Sequence, residues 1–184
     1  MKRLTRSEAL LVVIDVQERL MPVMHAAAEL ERNVDRLVRG CAVLDVPSVL
    51  TEQYVKGLGP TIATIRRSFE ETRGYRPIEK TCFSATGSGE FEAELRGLRR
   101  KHVIVAGVEA HVCVYQTVID LLQSGERVTV VADAVTSRAP YNKEIALRRM
   151  EAEGAQLSTT EMVLFEMLGV AGTAEFKEIS RLVK

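Results

Sequence analysis

Four short runs limit what this chain can fold into: ALLVVI at 9–14, PSVL at 47–50, HVIVA at 102–106 and RVTVVA at 127–132. A strand with one wet face alternates apolar and polar residues, whereas these runs are nearly continuous, as in a parallel sheet covered on both faces. Helical patterns lie between them. Leu30, Val34, Leu37, Cys41 and Leu44 recur at helical spacing opposite Glu31, Arg32, Asp35, Arg36 and Arg39, which makes an amphipathic helix. A second helix is expected from about Val112 to Ser124, stopped by Gly125, and a third from about Tyr141 to Glu153, opened by Pro140 and stopped by Gly154. Short strands are expected at PIEK (77–80) and near AQLST, with helices over Glu90 to Arg100, around 160–168 and around 173–183. This alternation reads as a doubly wound α/β fold. No repeat, low-complexity tract or linker divides the sequence, so residues 1–184 are read as a single domain.

Composition excludes several function classes. Lys plus Arg equals Asp plus Glu at 25 each, so no basic excess points to nucleic acid and no acidic excess to a disordered tail. The expected partners are a small molecule and further copies of the chain. The three cysteines, 41, 82 and 113, form no CxxC pair and no disulfide framework, which fits a reducing, cytoplasmic compartment. The apolar run after MKRLTRSE ends at Asp15, too short for a signal segment or a membrane span.

In open parallel sheets, ligands bind beyond the carboxyl ends of the strands. Three reactive side chains stand at such ends: Asp15 in VVIDVQ, Lys80 in EKTCFSA, and Cys113 in GVEAHVCV at the first turn of the next helix. Each also has a plain reading, as a cap, a solvated charge and a small core residue. Together they suit nucleophilic catalysis. A helix start and a nearby ammonium favour a thiolate, and a carboxylate can move its proton. Backbone N–H groups at the same turn offer an oxyanion site.

The strings VVIDVQERL, TEQYVKGLGPT, EKTCFSA, GVEAHVCVYQTVIDLLQSG, VVADAVTSR and STTEMVLFEML, spread over residues 12–168, resemble the isochorismatase-like cysteine hydrolases. The resemblance implies a three-layer αβα fold on a six-stranded parallel sheet, with Asp15, Lys80 and Cys113 as the catalytic triad. It implies a cis peptide between Val108 and Glu109 that turns the N–H groups of Glu109 and Cys113 toward an oxyanion. It also places Leu20, Tyr54 and Phe83 near the substrate and suggests a homo-oligomer. Metal-dependent nicotinamidases of the family carry Asp and His after the second strand. This chain has TEQYVKG there and no His between His25 and His102, so no metal and no cofactor is expected. Family members acting on the vinyl ether of isochorismate often lack the cysteine, which turns the expectation toward an amide or related C–N bond.

Other residues keep two readings each. Gln17 is a hydrogen-bond partner of the site or a loop amide. Glu109 contributes its backbone, while its side chain is free to reach a neighbouring subunit. His111 invites a Cys-His dyad, but its placement beside Cys113 at a helix start favours an outward side chain. Cys41 and Cys82 read as packing residues. Leu164, Phe165, Leu168 and Val170 either finish the core or build a contact between copies. Competing functions are a homo-oligomeric binding or scaffold protein that retains the site, an isochorismatase-type hydrolase, and a redox-sensing thiol protein.

Overall fold

The computed structural model describes residues 3–184. Six parallel strands form one sheet: β1 (Ala9–Ile14), β2 (Ser48–Gln53), β3 (Ile78–Lys80), β4 (His102–Val108), β5 (Arg127–Thr136) and β6 (Gln156–Ser158), in the order β3-β2-β1-β4-β5-β6. The helices are α1 (Ala27–Val43), α2 (Val55–Leu58), α3 (Ala63–Thr72), α4 (Gly89–Leu98), α5 (Tyr115–Gln123), α6 (Pro140–Ala152), α7 (Thr160–Leu168) and α8 (Ala174–Leu182).

Strand β1 explains the layering. All six of its side chains are sealed from solvent. Leu11 and Val13 pack with α1, α3, α7 and α8, whereas Leu10, Val12 and Ile14 pack with α4, α5 and α6. The result is the three-layer αβα arrangement that the continuous apolar runs demand. β1 pairs with β2 on one side and β4 on the other, so the chain winds outward in both directions from it. The carboxyl ends of β1 and β4 are therefore the topological switch point.

Several boundaries differ from the sequence expectation. β2 continues past Leu50 through Thr51, Glu52 and Gln53, and β4 runs on to Val108. β3 starts at Ile78, one residue after Pro77, which has no N–H for a ladder. Helix α3 had no sequence expectation: only Ile65, Ser68 and Phe69 are buried within its charged run. In the C-terminal segment Leu164 and Leu168 finish the core and Phe165 packs edge-on against Phe176, while Val170 stands exposed. No described helix is long and apolar enough to cross a membrane.

Candidate active site

The chain leaves both β1 and β4 through unusual backbone. Asp15, the residue after β1, has φ 54, a left-handed conformation that Asp tolerates better than most residues, and Gln17 N–H donates back to its carbonyl at 2.8 Å. On β4, Gly107 has φ 118, and a Cβ there would lie 2.0 Å from the Ile14 carbonyl oxygen. Only glycine lets β4 run this close to β1. The next peptide, Val108–Glu109, is cis. A π-helical turn over Ala110–Val114 follows, carrying Cys113, and α5 begins at Tyr115.

The loop after β3 is docked on α5. Thr117 donates to the Cys113 carbonyl at 2.7 Å and accepts from Ala85 N–H at 2.9 Å, while Thr86 reaches Asp120 at 2.9 Å. Lys80, at the end of β3, is set beside Gln53 by the β2–β3 register and reaches Asp15. Its ammonium lies 2.7 Å from Asp15 Oδ2, with both side chains wholly buried. The other Asp15 oxygen accepts from the Thr51 hydroxyl at 2.7 Å. The ammonium also donates to Gln53 Oε1 at 2.7 Å and reaches the carbonyls of Phe83 and Cys82 at 3.2 and 3.3 Å.

Cys113 completes the group at 7% exposure. Burial pushes its thiol up to about 12, the Asp15 carboxylate raises it further, and the Lys80 ammonium pulls it down. This differs from the lowered thiol expected from a helix start. The sulfur sits in the turn before α5, and its removal from water outweighs the nearby ammonium. The resting site is thus a neutral thiol beside an ion pair.

The remaining sequence candidates divide. Tyr54, at φ 38 and 55% exposed, lines a cleft of about 350 Å³ with Val55, Lys56, Glu79, Lys80 and Thr81. Phe83 stands on the loop after β3, more than half exposed. Leu20, partly buried, packs against the apolar core. Gln17 is fully committed to backbone: it accepts from Gln53 N–H at 2.7 Å and donates to the Gln53 and Gly59 carbonyls at 2.9 and 2.6 Å. It ties the β1 and β2 loops together rather than offering a free group. The Glu109 carboxylate binds Arg138 of the same chain through N–H and Nε, at 3.0 and 3.1 Å. His111 faces Ser137 and Asn142, at 2.9 and 3.4 Å.

Sequence reasoning missed Thr51 and Gln53. Their signal lay in the string TEQ, where polar residues two apart on a strand share a face. Between them, Glu52 points the other way and accepts from Thr61 N–H and Oγ at 2.6 and 2.7 Å and from the Tyr75 hydroxyl. Among the described residues no group of three or more His, Cys, Asp or Glu is placed to hold a metal ion.

Comparison with known proteins agrees with this architecture. The isochorismatase domain profile matches residues 9–162. Isochorismatase domain-containing protein 2 of Bos taurus is 38% identical over 182 residues, covering 99% of this chain and 86% of the relative. Among solved structures, the MAR1 ribonuclease of Caenorhabditis elegans superposes with a TM-score of 0.91 at 36% identity, covering 99% of this chain and 92% of that one. The YcaC gene product of Escherichia coli, described as an octameric hydrolase of unknown specificity, shares the fold with a TM-score of 0.91 at 23% identity, covering 99% and 91%. With a six-stranded, doubly wound parallel sheet and a family profile that matches residues 9–162, this chain belongs to the isochorismatase family.

Proposed function

We propose that this chain is a metal-independent cysteine hydrolase that cleaves a small amide or related C–N bond through a thioester. The observation that carries the reading is the buried Lys80–Asp15 pair at 2.7 Å, next to a thiol whose pKa responds to both groups. Cys113 Sγ attacks the substrate carbonyl as its proton passes to Asp15. The N–H groups of Glu109 and Cys113 hold the oxyanion. Collapse breaks the C–N bond, and the departing amine takes the proton from Asp15. Water then attacks the thioester and gives its proton to Asp15, which returns it to the sulfur as the acid leaves. Lys80 keeps its proton throughout and stabilises the negative charge shared by Asp15 and Sγ. Tyr54 and Phe83 flank the entering substrate.

The reaction needs no cofactor in this scheme, and the free thiols Cys41, Cys82 and Cys113 support a cytoplasmic setting. The exposed Val23, Tyr54, Phe83 and Tyr141 all follow the carboxyl ends of strands, which supports a homo-oligomer packed around that edge. The ribonuclease name of one relative raises a phosphodiester as a competing substrate. A balance of 25 basic and 25 acidic residues, with the one buried ammonium of the site fully bonded, supports a small uncharged amide over a polyanion.

The test is a panel of small amides plus a short RNA, offered to the purified chain and to Cys113→Ala. Ammonia release from at least one amide by the parent alone is the expected result. Turnover that survives in Cys113→Ala, or cleavage of RNA only, would overturn the reading.

A further inference from the structure

We infer that Gln53 is the positioning residue that keeps Lys80 a permanent cation, an inference that rests on the hydrolase reading above and assigns the ammonium's charge to a particular neighbour. An ammonium has three protons and no lone pair. Here the two short bonds, both 2.7 Å, go to Asp15 Oδ2 and Gln53 Oε1, and the third proton faces the Cys82 and Phe83 carbonyls at 3.3 and 3.2 Å. Every proton is engaged, so none is left for substrate. Lys80 acts through its field, and the field exists only while the amine stays protonated away from water.

Gln53 is built for this task. Its Nε2 donates to the Thr81 carbonyl at 2.8 Å, which fixes the amide so that its oxygen, not its nitrogen, meets the ammonium. Its own N–H and C=O are both held by the Gln17 side chain. Its register partner across the β2–β3 pair is Lys80 itself. The acceptor therefore cannot turn away or drift. Asp15 alone would be a poor guarantor of the charge, because in the proposed reaction it is neutralised each time it takes the thiol proton. At that moment Gln53 and the two carbonyls are the acceptors that remain, and a buried ammonium is stable only where its protons are satisfied.

The test uses readouts that need no substrate. Gln53→Met keeps the length and the main-chain bonds but deletes the acceptor. In protein labelled with 15N-lysine and carrying Asp15→Asn, which keeps that side chain neutral as it is while Asp15 holds the thiol proton, the shielded Lys80 ammonium is expected to give a slowly exchanging N–H signal near neutral pH, and adding Gln53→Met is expected to lose it. Because the Lys80 charge pulls the Cys113 thiol down, alkylation of Cys113 at fixed alkaline pH should fall about tenfold for each unit its pKa rises. Gln53→Glu, which retains an acceptor at the same reach, should restore the ammonium signal. Should Gln53→Met not fold, Gln53→Asn, whose oxygen falls short of the ammonium, is read in the same way. A folded variant lacking the acceptor that keeps both the ammonium signal and the parent alkylation profile would overturn the inference. A purely structural role would lower the melting temperature and move neither readout. The amide panel decides the hydrolase reading separately, so failure of one is distinguishable from failure of the other.

Discussion

Lys80 and Asp15 form an ion pair at 2.7 Å with no exposed side-chain surface on either partner. Breaking such a pair from one side leaves a buried charge uncompensated, which costs about 3–5 kcal/mol against a total stability of about 5–15. Lys80→Met should therefore be strongly destabilised, and Lys80→Met with Asp15→Asn should recover much of the loss while remaining inactive. Urea unfolding of the two single variants and the double variant measures the coupling. Additive losses would mean that the two groups do not act as a pair.

The thiols should react in an order set by burial. Burial pushes both Cys41 and Cys113 up to about 12, whereas Cys82 lies partly exposed on the loop after β3. Brief iodoacetamide treatment near neutral pH is expected to mark Cys82 first, with Cys113 labelling climbing steeply only as pH approaches 12. The same shifts govern alkaline stability. Unfolded thiols ionise near 9 while the folded ones hold their protons, so their contribution is complete below pH 9 and is lost as pH rises from 9 to about 12. Peptide mapping across pH checks the order, and labelling of Cys113 ahead of Cys82 at neutral pH would contradict it.

These thiols also mark where the sequence ran out. The bounds of β1 were legible to the residue, because six side chains sealed from solvent must all be apolar. The apolar run of β2 stops at Leu50, because Thr51, Glu52 and Gln53 read as solvated residues. They are buried through hydrogen bonds to Asp15, Thr61 and Lys80, partners distant in sequence. Helix α3 was invisible for the opposite reason: its buried face is only Ile65, Ser68 and Phe69 amid charges. The sequence spacing brought Asp15, Lys80 and Cys113 to one edge, but it could not weigh burial against a neighbouring ammonium, and that balance decides the state of the sulfur.

His102 should make the protein acid-sensitive. Burial, followed by the nearby Arg127, lowers its pKa from 6.5 to about 4, and its Nε2 meets the Thr129 hydroxyl at 2.7 Å. Above pH 6.5 the ring is neutral in both folded and unfolded chains. Between 6.5 and about 4 only the unfolded chain gains the proton, so stability falls as pH falls through that window. His102→Gln, which keeps a group able to reach Thr129, should flatten the decline. Chemical unfolding at several pH values reads it, and an unchanged slope in the variant would assign the acid sensitivity to other groups.

The close approach of β4 to β1 at the switch point depends on Gly107. At φ 118, and with any added side-chain carbon falling 2.0 Å from the Ile14 carbonyl oxygen, even alanine would force β4 away from β1. Gly107→Ala is expected to lose about 4 kcal/mol or more, in the range reserved for severe backbone conflict. Thermal unfolding tests this, and a variant as stable as the parent would mean that the two strands can part at little cost.

Cys113→Ala should separate architecture from chemistry. The sulfur is nearly buried, but it is one atom in a turn whose shape is set by Gly107, by the Thr117 bond to the Cys113 carbonyl and by the Glu109 carbonyl, which accepts from Val112 and Val114. Its loss should cost about 1–2 kcal/mol and leave the fold intact. Turnover of any amide found by the panel should vanish, because no other group at the carboxyl edge of β4 supplies a nucleophile in the proposed scheme. Asp15→Asn should be nearly as inactive: the neutral thiol then has no acceptor for its proton, and the amine has no donor. If the two act in one step, the double variant will be scarcely slower than either single one. Multiplicative losses in the double variant would instead show that Cys113 and Asp15 serve different steps, and the shared proton path between them would have to be abandoned.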